Sequence, residues 1–138
     1  MTFLLDTNII SELRKLRPHG ALLSWYKSYS SSSFALPAIA LYEIQAGLEI
    51  TRLQDPAKAI EMQLWIEALI DETTILPLGG DAAREAAKLM HGRSKTLIEV
   101  AMIAATAKVN GLTVATRNTR DFERFGVPLI NPFLFSRP

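Results

Sequence analysis

Short apolar runs alternate along this chain with longer stretches of helical period. Residues 2–5 (TFLL) are too few for a helix and read as a buried strand. The run stops at Asp6-Thr7-Asn8, after which NIISELRK (8–15) turns helical until Leu16 to Pro18 break it. GALLSWYKSY (20–29) predicts a second short helix, the serine run 30–33 a loop, and Phe34 to Pro37 a second strand. A long helical pattern follows through Ile39, Tyr42, Glu43, Ala46 and Gly47. Asp55-Pro56 predicts a cap and first turn, opening a helix to about Ile70 with Leu64, Trp65, Ala68 and Leu69 on one face.

Thr74 to Leu78 reads as a third strand, and Gly79-Gly80-Asp81 as turn and cap before a helix to about Met90. Residues 91–95 are a polar loop; Thr96 to Asn110 is helical and ends at Asn110-Gly111. LTVAT (112–116) is a strong strand, and Val127 to Ile130 predicts a last one before Pro132. Strands alternating with helices imply βαβ units, an α/β fold and a mostly parallel sheet covered on both faces. No repeat or boundary divides the chain, so residues 1–138 are expected to form one domain.

Composition narrows the class. The 138 residues suffice to bury a core, and an apolar share of 49% leaves a surplus that a partner would cover. Cysteine is absent, which excludes disulfides and thiolate zinc sites and favours an intracellular, cytoplasmic setting. The N-terminus has neither the basic nor the long apolar region of a secretory signal, and no stretch reaches the ~20 apolar residues of a membrane span. His19 and His91 stand alone without ligand spacing. A net charge of +1 is not the footprint of a chain coated in phosphate-binding charge, so nucleic acid would be held by a local patch.

Two strands end in polar clusters. One is Asp6-Thr7-Asn8, open to a helix-cap reading as well as a functional one; the other is Thr116-Arg117-Asn118, with Asp121 shortly after. Parallel strands align their carboxyl ends, so both clusters fall on one edge, where Glu43 leans in from the early turns of its helix. Two carboxylates ~5 Å apart repel by about 3 kcal/mol at an effective dielectric of ~20. A divalent cation removes that penalty, and oxygen ligands select hard ions such as Mg²⁺ or Mn²⁺.

LLDTNIISEL, the ALYEIQAG stretch around Glu43, AMIAATA (101–107) and VATRNTRDFE (114–123) resemble PIN-domain proteins, above all VapC-type toxins of bacterial toxin–antitoxin pairs, including plasmid-stability members. The resemblance spans nearly the whole chain, with the motifs in order. It implies a three-layer α/β/α sandwich and a Mg²⁺- or Mn²⁺-dependent endoribonuclease. It further implies a homodimer or toxin–antitoxin hetero-oligomer, a small antitoxin whose tail covers the pocket, RNA as substrate and operator DNA reached only through the antitoxin. Carried over by position, Asp6, Glu43 and Asp121 are the metal ligands and catalytic acids. Thr7, Asn8, Thr116 and Asn118 support them, with Asn118 at a place that is acidic in some relatives. Arg117 and Arg120 are candidate phosphate contacts, as are Arg14, Lys15 and Arg17.

One departure stands out. The position where the family has a further Asp, directly before AMIAATA, is Val100. Glu99 precedes it, but neighbouring helical residues point about 100° apart, and Thr96-x-x-Glu99 reads as a capping box. Three accounts stay open: a weakened site, replacement by Glu99 after a local shift, or a substitution that made a toxic enzyme tolerable to an expression host. A binding module that keeps antitoxin or RNA contact without turnover is the alternative function. An aspartyl-nucleophile phosphatase is disfavoured because Asn8 replaces the second Asp of D-x-D-x-T, and a receiver domain lacks its mid-chain Asp.

Overall fold

The computed structural model describes residues 1–136. Five parallel strands form one sheet: β1 (Phe3–Leu5), β2 (Phe34–Pro37), β3 (Thr74–Leu76), β4 (Thr113–Ala115) and β5 (Leu129–Ile130), in the spatial order β3-β2-β1-β4-β5. Seven helices connect them: α1 (Thr7–Leu13), α2 (Gly20–Lys27), α3 (Ala38–Gln54), α4 (Pro56–Glu72), α5 (Gly80–Met90), α6 (Ile98–Asn110) and α7 (Thr119–Glu123).

β1 is central, and successive side chains of a strand point to opposite faces. Phe3 and Leu5 therefore enter one core with Ile9, Trp25, Ile44 and Leu48, while Leu4 enters the other with Ala101, Ala104, Val114 and Phe122. With α1–α4 on one face and α5–α7 on the other, the chain is a three-layer α/β/α sandwich. Small residues make the second face close-fitting: Ala101, Ala104, Ala105 and Ala107 of α6 are all fully buried. The buried indole N–H of Trp25 has no hydrogen-bond partner among the described residues; its ring lies edge-on to Phe3 at 4.9 Å and Phe34 at 5.4 Å between centroids.

Several elements differ from the sequence expectation. Ser31–Ser33 forms a 3₁₀ turn, closed by the Ser33 amide donating to the Ser30 carbonyl, where a loop was expected. α7 and a 3₁₀ turn at Pro132–Leu134 are too short to show a period. β3 stops at Leu76 because Pro77 has no amide to continue the ladder. In α4 Ala59, Met62, Trp65, Ile66 and Leu69 pack against the core, so the expected apolar face is split: Trp65 and Leu69 turn inward while Leu64 and Ala68 are exposed. Gly111 closes α6 in the left-handed conformation, φ 65°, as the Asn-Gly pair predicts.

The strand order reverses beside β1: the chain steps from β1 to β2 and β3, then crosses to β4 on the other side. Such a switch opens a crevice beyond the carboxyl ends of the strands on either side. The register pairs Leu5 with Ala115, so the next residues, Asp6 and Thr116, meet in that crevice. No helix among the described residues is long and apolar enough to cross a membrane.

Candidate metal centre

Asp6 is both the last residue of the β1 run and the N-cap of α1, so the two readings of its sequence context hold together. Its Oδ1 accepts from the Thr7 amide at 2.8 Å, and its backbone amide donates to the Ala115 carbonyl. Its Oδ2 accepts from the Thr116 hydroxyl at 2.7 Å and from Asn8 Nδ2 at 3.2 Å. The fully buried Thr116 Oγ1 also accepts from the Asn118 amide at 2.9 Å. The loop after β4 is thereby fastened to the loop after β1, and the Arg117 amide adds a bond to Asn8 Oδ1. Thr116→Val is expected to lower stability by about 1–3 kcal/mol, since it strips a buried carboxylate and an amide of one partner each. Urea denaturation checks this.

Glu43 reaches the same place from the second turn of α3. Its Oε1 accepts from the Thr7 hydroxyl at 3.0 Å, which links the two acids through one residue. Asp6, Thr7, Asn8, Ser11, Glu43, Glu99, Val100, Ile103 and Asn118 line a cavity of about 320 Å³. Burial raises the pKa of Asp6, opposed by the bonds from Thr116 and Thr7. Burial also raises that of Glu43, opposed by Thr7 and reinforced by the negative charges of Glu99 and Asp6. Both groups sit where the charged form of a carboxylate is held at a disadvantage.

Glu99 is the principal correction. Residues 95–97 form a 3₁₀ turn capped by Ser94, α6 begins only at Ile98, and its cap position is Leu97, so no Thr96–Glu99 capping box exists. The carboxylate of Glu99 faces Glu43 across the cavity. Val100 lines the cavity too, while packing against the core beneath the sheet. Asp121 stands behind Asn118, whose Nδ2 donates to it at 2.9 Å, and faces a neighbouring cavity. Among the described residues no three His, Asp or Glu side chains are gathered closely enough to hold an ion by themselves. The donor set nevertheless fits a hard cation in its chemistry: Asp6, Glu43 and Glu99 offer only oxygen, and no histidine approaches.

The cations are arranged less directly. Arg117 stacks over Phe133 at 4.6 Å, Arg14 lies over Trp65 at 5.6 Å, and Lys15 pairs with Glu12. Arg120 is exposed on α7, one residue from Asp121, and like Arg117 is not part of the cavity wall. Ser11 and Ile103 escaped sequence reasoning. Ser11 is four residues after Thr7, and Ile103 four after Glu99, so helical spacing from known members was the available signal.

A PIN domain profile matches residues 3–128. The chain belongs to the PIN-domain family. It is similar to the VapC ribonuclease Y4jK of Sinorhizobium fredii, 37% identical over 135 residues, 94% of this chain and 96% of that protein. Toxin FitB of Neisseria gonorrhoeae is 31% identical over 136 residues, 94% and 97% of the two chains. Among solved structures, FitAcB from Neisseria gonorrhoeae superposes with a TM-score of 0.86 at 30% identity, covering 97% of this chain and 100% of that one. FitAB bound to a DNA fragment gives the same TM-score at 29% identity, covering 99% of each. The match of this PIN domain to those folds bears out the α/β/α expectation and the family resemblance.

Proposed function

We propose that this chain is a divalent-metal-dependent ribonuclease and the toxin of a toxin–antitoxin pair, weakened by Val100. The observation that carries the reading is the meeting of Asp6 and Glu43, joined by Thr7, at the switch point of a PIN sheet. Relatives named as a VapC ribonuclease and a toxin support the activity class and a small antitoxin as partner. The FitAB structure bound to a DNA fragment supports DNA as a contact of the toxin–antitoxin assembly, which we take to be operator DNA reached through the antitoxin.

Asp6 and Glu43 would hold Mg²⁺ or Mn²⁺, with Glu99 supplying the charge that Val100 does not. Such an ion supplies Lewis acidity toward a phosphoryl oxygen and makes bound water a nucleophile near neutral pH. The chain's own residues set the geometry. Thr116, Asn8 and the Thr7 amide fix Asp6, the Thr7 hydroxyl fixes Glu43, and Asp121 acts by aiming Asn118 into the cavity. Arg117, oriented by Phe133, and Arg120 would hold flanking phosphates.

The test is incubation of purified protein with structured RNA and Mn²⁺, with and without EDTA. Chelator-sensitive cleavage is expected. Absence of cleavage at any enzyme concentration, with RNA or antitoxin binding intact, would instead make the chain a binding module.

A further inference from the structure

Next to the acidic cavity lies a second one, of about 490 Å³, lined by Gly92, Arg93, Ser94, Thr96, Leu97, Asp121 and Arg124. The two share a wall. Asn118 belongs to the acidic cavity and donates at 2.9 Å to Asp121 of the second, and Leu97 precedes Glu99 and Val100 in the same segment. From these contacts we infer that the second cavity is a phosphate-binding subsite for the RNA strand. It would hold a backbone phosphate flanking the one that enters the acidic cavity. The inference rests on the ribonuclease reading above.

The site is built rather than incidental. Arg93 is fixed on three sides: Nε donates to the Leu89 carbonyl at 3.0 Å, a terminal nitrogen donates to the Arg124 carbonyl at 3.0 Å, and the guanidinium lies 5.1 Å over the Phe125 ring. A guanidinium held in this way loses little freedom when an anion joins it, and its fork matches phosphate oxygens. The ion pairs among the described residues use Lys15, Arg52 and Lys108, and neither Arg93 nor Arg124. Arg93 and Arg124 therefore line one cavity with the single carboxylate of Asp121, which is itself engaged by Asn118. The Ser94 and Thr96 hydroxyls, hydrogen-bonded to each other at 3.0 Å, leave one further donor at the same rim, and Gly92 at φ 74° makes the turn that presents them. The volume lies within the roughly 300–1,000 Å³ typical of small-ligand sites.

The experiment measures binding of a fluorescent single-stranded RNA by anisotropy in EDTA, so that no turnover intervenes, across a salt series. Arg124→Gln is expected to weaken binding about tenfold at 0.1 M salt. It should also flatten the slope of log affinity against log salt by about 0.7, the loss of one phosphate contact. Arg124→Lys should keep the slope. Ser94→Asp retains a capping residue at that turn while placing a carboxylate in the cavity, and is expected to weaken binding by more than tenfold with an unchanged Tm. Wild-type affinity and slope in both Arg124→Gln and Ser94→Asp would overturn the proposal. So would a loss confined to binding of the antitoxin, which would give the site to a protein carboxylate. If the wild-type chain shows the Arg124 dependence yet never cleaves RNA in Mn²⁺, the ribonuclease reading fails while the subsite stands. If it cleaves and Arg124→Gln leaves KM untouched, the reverse holds.

Discussion

Glu43→Gln is expected to reduce Mn²⁺-dependent RNA cleavage by roughly two to three orders of magnitude, with little change in Tm. The size follows from the several kcal/mol that an ion contributes to charge stabilisation in phosphoryl chemistry, at a factor of ten per ~1.4 kcal/mol. The amide still accepts from the Thr7 hydroxyl, so the fold keeps its bond and only the charge is lost. Asp6→Asn should be equally inactive. In the metal-free protein it removes the charge that burial disfavours but also one of the acceptor oxygens that serve Thr7, Thr116 and Asn8, so the pH profile rather than the Tm is the readout. Burial raises the folded pKa above the ordinary 3.8, so the folded state binds this proton more tightly than the unfolded chain. The contribution of Asp6 to stability is then fully present below 3.8 and is lost as pH rises through the raised value. Denaturation of metal-free parent and Asp6→Asn across that range measures it: parallel pH profiles would contradict the assignment.

Val100→Asp should act in the opposite direction. Val100 lines the acidic cavity beside Glu99 and Ile103, and a carboxylate there adds a charged oxygen to those of Asp6 and Glu43. Tighter Mn²⁺ binding, by about tenfold or more, and faster cleavage are expected, since ligand charge tunes the affinity of oxygen sites for hard ions. Because Val100 is only partly buried against the core, its replacement should cost about 1–2 kcal/mol in the absence of metal. Isothermal titration with Mn²⁺ and a cleavage assay on the two proteins decide the point. Equal affinities and equal rates would show that Glu99 already fills the role.

Much of this was legible from residue pattern because the chemistry sits at strand ends. An apolar run that stops at Asp6, and another that stops at Thr116, locate the crevice once the strands are taken as parallel. Glu43 is harder: its place early in the helix after the second strand lets it lean over the sheet edge, but only the family resemblance gives it a role. Glu99 was misread because a capping box is a local pattern, and the 3₁₀ turn at 95–97, which displaces the start of α6, leaves no trace in the periodicity. Asp121 was expected at the cavity itself. In the folded chain the five-residue α7, invisible to any helical count, sets it one side chain behind Asn118. Leu64 and Trp65, placed on one face by the pattern, part company for a related reason: α4 carries apolar residues on more than one face, and the pattern alone cannot say which face the sheet will cover.

The two acidic positions differ in how deeply the fold is invested in them. Both oxygens of Asp6 are engaged, one by the start of α1 and the other by Thr116 and Asn8, so an apolar residue there would unseat a helix and a strand junction together. Position 100 carries no such obligation, and valine settles against neighbours that already welcome a hydrocarbon. Exchanging hydrocarbon for carboxylate at position 100 therefore loosens no junction of the fold, whereas the same exchange at position 6 would loosen two.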